Sequence, residues 1–381
     1  MAQVAAARCG VAVIGAGVVG AAIAHELSGY GVDVIVLERE AGPARGASGS
    51  NAGIIHTGFE MTAGSFEADM LLANAGRWQP LFDELQVPYR VCGALMLAHS
   101  FSENAQLTNI TENAERNGVK VRQLDRGQAR NMQPHARAFG GLLVPGEAIT
   151  DPFELVWRLL HGAGEVRYGV RVERVESHEH GSVLHTDAGT LSARFTINCA
   201  GLFADDIAKE DSVRIMARRG EFIVYPPTTG PLCDHILLPL PGSAAQSIRI
   251  VPTLYGHLCA GPIEADQADK TECRMQADRI ANVQRKAEKI IPRLADFPMV
   301  GSWAGLASVG QPRDYIVEWS KRVPAMFHVA GIRSTGLSTC FGLSAYVVDR
   351  LRERGLAMGS RRATAKPPAA ESQPWWQRPR A

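Results

Sequence analysis

The apolar positions near the N-terminus fall into three blocks. Val11 to Ile14 is a short β-branched run, Val18 to Tyr30 carries its apolar residues at helical spacing and closes at Gly29 or Gly31, and Val32 to Leu37 is a second continuous apolar run. Short apolar runs bounded by turn residues fit strands buried on both faces, and strand, helix, strand in close succession is a parallel βαβ crossover. Helical spacing recurs from Ser65 to Leu85 and from Glu103 to Asn117, where Asn117-Gly118 closes it. It recurs again from Asp151 to Leu160, with Asp151-Pro152 as cap and first turn. Val166 to Cys199 alternates as sheet does, further strands are predicted at Glu221 to Tyr225 and Ile248 to Ala260, and Met275 to Ile291 is helix-rich. A glycine-rich turn after Gly331 leads into a helix from about Leu343 to Arg354. No internal repeat is visible.

Composition narrows the class. A chain of 381 residues, 46% hydrophobic, is long enough for two domains with their own cores. Forty basic residues against 39 acidic ones leave no overall field to draw nucleic acid or an acidic membrane. The seven cysteines (Cys9, Cys92, Cys199, Cys233, Cys259, Cys273 and Cys340) are scattered and never spaced as CxxC, which points to a reducing compartment and to no metal site. Met1 to Arg8 reads as neither signal peptide nor membrane anchor, so a cytoplasmic protein is expected, with a peripheral place at a membrane left open. Residues 357–381 hold Pro367, Pro368, Pro374 and Pro379 and few aliphatics, and are expected to be a disordered tail. Trp375 and Trp376 within it are candidate anchors for a partner or an interface.

Gly15, Gly17 and Gly20 form GxGxxG between the first strand and its helix, and Glu38 ends the second strand. Gly15 permits the tight turn, Gly17 lets the backbone approach a pyrophosphate, Gly20 lets helix pack on strand, and the acid accepts the ribose hydroxyls. The helix N-terminus offers free amides to the anion. These residues establish a dinucleotide site without choosing the dinucleotide. The small-residue run from Ala47 through Ser48, Asn51, Ala52, Gly53, Ile55 and His56 to Gly58 is too long and too polar for a strand and suits a backbone lying against a flat, extended cofactor.

At this segment the sequence resembles the D-amino-acid oxidase superfamily of FAD proteins, and the NAGIIHTG wording is most similar to the branch of anaerobic glycerol-3-phosphate dehydrogenases and L-2-hydroxyglutarate dehydrogenases. The likeness runs to about residue 355, through Pro145 to Pro152, Asn198 to Leu202, Arg219-Gly220-Glu221, Val251-Pro252-Thr253, Trp303 to Leu306 and Ala330-Gly331-Ile332. It implies an α/β fold in which a Rossmann-like FAD domain (1–85, 140–210 and 300–356) is interleaved with an α+β substrate domain (86–139 and 211–299) on a mostly antiparallel sheet. It also implies that FAD is held by Gly15, Ala16, Gly17, Val18, Val19, Gly20, Glu38 and Arg39 and by Ser48, Asn51, Ala52, Gly53 and Ile55. Val172, Ala200, Gly201 and Gly305 join them, with Arg333, Gly336, Leu337 and Ser338 at the turn into the last helix.

His56 is the candidate catalytic base, since oxidising an alcohol by hydride transfer to the flavin requires removal of the hydroxyl proton and neutral imidazole suits that near pH 7. The turn from Arg333 to Cys340 would aim helix N-terminal amides at the flavin; Cys340 itself reads as a small buried hydrophobe. Many relatives place an arginine after Trp-Ala-Gly-Leu to hold an anionic substrate, and this chain has Ala307 there. Arg249 and Arg333 are candidates to take its place, and Tyr255 is a further candidate pocket residue; Tyr225 and His257 are ambiguous. The expected activity is oxidation of the CH–OH carbon of a small, anionic 2-hydroxy acid or polyol phosphate, with oxygen, a quinone or a partner protein as acceptor. Two other readings stand beside it. One is an amine-oxidising enzyme acting on a small amino acid, N-methyl amino acid or opine; the other is an FAD subunit that passes electrons to a partner docked at Trp375 and Trp376.

Overall fold

The computed structural model describes residues 7–227, 232–241, 248–311, 314–362, 367–368 and 373–378. Residues 1–6 of the segment read for a signal peptide lie outside them. Among the described residues, two eight-stranded sheets and one three-stranded sheet form the framework.

The first large sheet has a parallel centre in which Glu165–Tyr168, Val34–Glu38, Ala7–Ile14, Gly189–Asn198 and Met326–Ala330 lie side by side. An antiparallel hairpin (Val172–His178 and Gly181–Thr186) extends it from Gly189–Asn198. The strand Ile316–Trp319 pairs antiparallel with Met326–Ala330. The predicted crossover is present: the helix Val18–Gly29 follows Ala7–Ile14 directly and leads into Val34–Glu38. Its apolar residues, with those of Pro152–His161 and Gly336–Glu353, form one core cluster against the sheet. Ile14, Glu38 and Asn198 end their strands at one edge, the carboxyl edge, where open α/β sheets bind ligands.

The second large sheet runs in the order Gly301–Gly310, Ile215–Tyr225, Leu258–Gln267, Arg249–Pro252, Ile236–Leu238, Ala94–Ala98, Gly140–Val144, Arg122–Leu124. It is antiparallel except between Ile236–Leu238 and Ala94–Ala98. Strand alternation separates its faces. Phe222, Val224 and Val251 join a cluster with Ala52 and Ile54 of the small-residue segment, while Ile223, Tyr225 and Ile250 pack with Val283, Ala287 and Ile290 of the helix Ala277–Ile290. The third sheet sets Ala148–Thr150 between Ile54–Ile55 and Tyr89–Val91. It ties the small-residue segment to the chain around residue 148.

Several expectations are corrected. The helical stretch from Ser65 to Leu85 is two helices, Phe66–Ala75 and Trp78–Leu85, parted at Gly76. The last helix begins at Gly336, about two turns before Leu343, because its first turns bury Ser338, Thr339 and Cys340 between Leu337 and Phe341, which breaks the apolar spacing. Strands 140–144 and 301–310, assigned with the first domain, hydrogen-bond into the second sheet.

The tail is also corrected where it is described. Gly359 and Arg362 donate to the carbonyls of Tyr30 and Gly29 (3.0 and 2.7 Å). Trp375 is 3% exposed, its indole N–H donates to Asn51 O at 3.3 Å, and the Trp376 ring stacks on Trp303 at 6.2 Å and 9°. Arg378 pairs with Glu154 at 2.9 Å and lies over the Phe153 ring. Two indoles and a guanidinium find enough internal partners to order this turn, which composition alone does not reveal. Trp375 is therefore covered by its own chain and is no surface anchor. Residues 363–366, 369–372 and 379–381 of the tail lie outside the described residues.

Candidate active site

A cavity of about 780 Å³ opens at the carboxyl edge of the first sheet and runs to the second. Its floor is the glycine loop. A Cβ at Gly15 would sit 2.5 Å from Cys199 O, and one at Gly20 2.1 Å from Gly15 O, so both glycines are demanded by the protein's own packing. Gly17 differs: a Cβ there would meet only Ser48 Oγ, at 3.1 Å. Bare space is left at the helix N-terminus, where backbone amides can meet a pyrophosphate. Gly46 and Gly201 also line the cavity with nothing within 4 Å of where a side chain would begin. No side chain of Gly17 caps the helix; the Ser48 hydroxyl accepts from Val18 N–H at 2.9 Å instead.

Glu38 lines the cavity beside this loop. Its carboxylate accepts the N–H groups of Ala16 (2.6 Å) and Glu40 (2.9 Å), one on each oxygen, and burial pushes its pKa up. Each oxygen can accept again, so the fixed carboxylate is ready for two hydroxyls. Arg39, its guanidinium 3.8 Å over the Phe203 ring, stands at the same end.

The opposite wall comes from the last helix and the second sheet. Thr335, the N-cap residue, spends its hydroxyl on Glu67 and Tyr315 and leaves the helix start uncapped, with Gly336 and Leu337 on the cavity. A Cβ at Gly305 would lie 2.4 Å from Ser50 O, so that glycine lets the second sheet close on the small-residue segment. Of the residues expected at the cofactor, Gly15, Gly17, Val18, Val19, Gly20, Glu38, Arg39, Ser48, Asn51, Val172, Ala200, Gly201, Gly305, Arg333, Gly336 and Leu337 line the cavity. Ala16, Ala52, Gly53, Ile55 and Ser338 do not. Ala16 and Gly53 contribute through their backbone, and Ser338 is wholly buried. Sequence reasoning passed over Arg218, Phe222, Pro262 and Glu264, which reach the cavity from the second sheet by strand alternation.

His56 is not among the residues that line the cavity. Its N–H donates to Ser338 Oγ at 2.7 Å, in the first turn of the last helix, and its ring is 11% exposed. Nδ1 is 3.0 Å from Oε2 of Glu147, a fully buried carboxylate that the sequence did not single out. The signal was present in the Pro145 to Pro152 segment but lacked a partner until the small sheet set its register.

The substrate candidates separate. Tyr255 does not line the cavity; its hydroxyl donates to Asp151 at 2.6 Å under Trp375 and Trp376. Arg333, at φ 50°, is ion-paired with the buried Glu67, and burial pulls its pKa down. Arg249 also lies off the cavity surface, but alternation puts it on the same sheet face as Val251, toward Ala52 and Ile54, and its Nε is buried without a partner. Tyr225 is on the far face, and Cys340 is a fully buried thiol pushed up to about 12 by desolvation, as a core residue should be. No group of metal-binding side chains is found among the described residues, and no described helix is long and apolar enough to cross a membrane.

Comparison with known proteins agrees with this geometry. The sequence pattern of the FAD dependent oxidoreductase family (DAO) matches residues 10–350. The chain is 29% identical to the glycerol 3-phosphate dehydrogenase of Caloramator mitchellensis, over 90% of its own length and 73% of that protein's. It is 28% identical to the L-2-hydroxyglutarate dehydrogenase of Escherichia coli (strain K12), over 66% of its own length and 62% of that protein's. Among solved structures it resembles the L-alpha-glycerophosphate oxidase of Mycoplasma pneumoniae, determined with FAD bound, at TM-score 0.87 and 20% identity, covering 95% of this chain and 100% of that one. It also resembles the glycine oxidase of Geobacillus kaustophilus at TM-score 0.84 and 22% identity, covering 91% and 95%. The chain belongs to the FAD-dependent oxidoreductase family, and FAD is its cofactor.

Proposed function

We propose that this FAD-dependent oxidoreductase oxidises the CH–OH carbon of a small anionic substrate, a 2-hydroxy acid or a polyol phosphate, with His56 as the base that takes the hydroxyl proton. The observation that carries the reading is the imidazole of His56 held by a buried carboxylate at the end of the small-residue segment, next to the start of the last helix. Two relatives are named as dehydrogenases of glycerol 3-phosphate and L-2-hydroxyglutarate, both molecules with a CH–OH carbon. The glycine loop, Glu38 and the 48–55 segment would hold FAD. When bound, FAD supplies the two-electron acceptor for the hydride of the substrate carbon.

The chain's own residues supply the rest. With Nδ1 engaged by Glu147, Nε2 is the nitrogen left to accept a proton. Arg249, with a buried unpartnered Nε on the sheet face turned toward Ala52 and Ile54, is the cation to hold a carboxylate or phosphate in place of the side chain missing at Ala307.

Anaerobic bleaching of the bound flavin by a panel of 2-hydroxy acids and glycerol phosphates tests the substrate class. Bleaching by at least one member is expected, without release of ammonia. Bleaching only by amino acids, with ammonia, would establish amine oxidation instead. His56→Asn is expected to slow flavin reduction by about 10²–10⁴-fold at unchanged FAD content, the usual contribution of a positioned base. Parallel loss of rate and FAD would make His56 a structural residue.

A further inference from the structure

We propose that Glu147 is a positioning residue: it holds His56 as the Nδ1–H tautomer, keeps Nε2 free to accept the substrate proton, and then faces the imidazolium with a compensating charge. The small sheet brings the two together. Ile54 pairs with Ile149 and Ile55 with Ala148 in antiparallel register, which sets position 56 opposite position 147 one step on.

Three donors converge on the Glu147 carboxylate. Thr57 N–H and Thr57 Oγ1–H both donate to Oε1, at 2.7 and 2.8 Å, and His56 Nδ1 lies 3.0 Å from Oε2. An ionised carboxylate has acceptors only, so with two donors already on Oε1, Oε2 calls for a proton on Nδ1. Gly146 leaves room for this contact: a Cβ there would lie 2.9 Å from Thr57 Cγ2 and crowd the side chain whose hydroxyl donates to Glu147. At 0% exposure, the carboxylate meets no competing water that would loosen the ring.

In the reaction the substrate O–H bond breaks, its proton forms the new bond at Nε2, and the Nδ1 proton stays on His56. Glu147→Gln is expected to invert the arrangement. The amide oxygen can keep the Thr57 donors while its NH2 group donates to Nδ1, which forces the neutral ring's proton onto Nε2. The imidazole then has no free lone pair for the substrate, and no anion faces it.

The consequence for rate rests on the reading of His56 as the base, whereas the tautomer does not. Two-bond ¹H–¹⁵N correlation spectra of the FAD-loaded protein, labelled at histidine, read the tautomer directly, with His56 assigned by its absence in His56→Asn. The expected result is a proton on Nδ1 in the unaltered chain and on Nε2 in Glu147→Gln. About 100-fold slower anaerobic flavin reduction should accompany it at equal FAD content. Glu147→Asp, which retains the anion on a shorter arm, should keep the original tautomer and recover part of the rate. A proton on Nε2 in the unaltered chain overturns the proposal, and this spectrum needs no variant to fold. An unchanged tautomer in Glu147→Gln overturns it as well. Reversal of the tautomer with no change in rate upholds the positioning and removes only the base role of His56.

Discussion

The two ends of the site are built by different means. At the glycine-loop end the contacts are backbone: Gly15 and Gly20 are forced by close approach of main chain, Gly17 leaves bare space, and Glu38 is fixed by two main-chain N–H groups. At the His56 end they are side chains from distant segments, His56, Glu147 and Ser338 converging from three parts of the chain. A backbone site is a property of a local run of residues, and a side-chain site is a property of register. The first therefore tolerates no added volume at Gly15 or Gly20, and the second no change of protonation or geometry.

The largest expected effect comes from breaking the backbone end. Gly20→Val would put a branched side chain where even a Cβ meets Gly15 O at 2.1 Å and the Val13 side chain at 3.3 Å. The helix must then move off the strand and take its N-terminal amides with it. We expect purified Gly20→Val to carry essentially no FAD, by absorbance of the oxidised flavin. Full FAD occupancy would show that the loop is not fixed by this contact.

The same contrast explains what the sequence could and could not reveal. Gly15, Gly17, Gly20 and Glu38 were readable because spacing alone carries the geometry. The last helix was placed late because Ser338, Thr339 and Cys340 are buried for contacts to Ile54 O, Thr335 O and Leu337 O, which no periodicity records. Glu147 was missed because it acquires meaning only when Ala148 pairs with Ile55. Arg218, Phe222 and Glu264 reach the cavity only once the second sheet is assembled. Tyr255 was misread for a related reason: its hydroxyl is taken by Asp151, more than a hundred residues earlier. The Trp375 turn was misjudged because low aliphatic content says nothing about two indoles meeting Trp303 and Tyr255.

The side-chain end is sharpened next by Arg249→Met. Methionine keeps most of the volume and removes the cation. If Arg249 holds the anionic group, KM for the bleaching substrate should rise about 100-fold while FAD content stays constant, in line with loss of a buried charge-assisted contact. A change confined to thermal stability would return Arg249 to a purely structural place in the sheet.

A smaller effect is expected where the tail joins the two ends. Trp375 donates to Asn51 O and packs beside Tyr255, so it touches the cofactor-lining segment and the second sheet together. Trp375→Ala should cost about 2 kcal/mol, below the usual range for a core tryptophan because the short turn regains freedom when released. Denaturant unfolding measures it, and an unchanged midpoint would mean that the turn adds nothing to the fold. Equal weakening of FAD binding would show that Asn51 depends on this cover.

The smallest effect probes a titrating group at the backbone end. His328 is fully buried, hydrogen-bonded through Nδ1 to the Asn198 amide at 3.1 Å and through Nε2 to Glu210 at 3.4 Å, just beneath the Asn198 to Gly201 turn that borders the cavity. Burial pulls its pKa below the ordinary histidine value, with Glu210 opposing. The unfolded chain, with an ordinary histidine near 6.5, then binds more protons than the folded one as pH falls through that value. The contribution of neutral His328 is complete above about pH 6.5 and is lost below it. Glu38 and Asp151, whose pKa values are raised chiefly by burial, act in the opposite sense at lower pH, so the total slope does not isolate His328. The difference does: between pH 7.5 and 5.5 the Tm of His328→Asn should fall less than that of the unaltered chain. Parallel curves would mean that His328 binds its proton equally in the folded and unfolded chain, and a steeper fall for His328→Asn would mean that His328 is charged in the fold against Glu210.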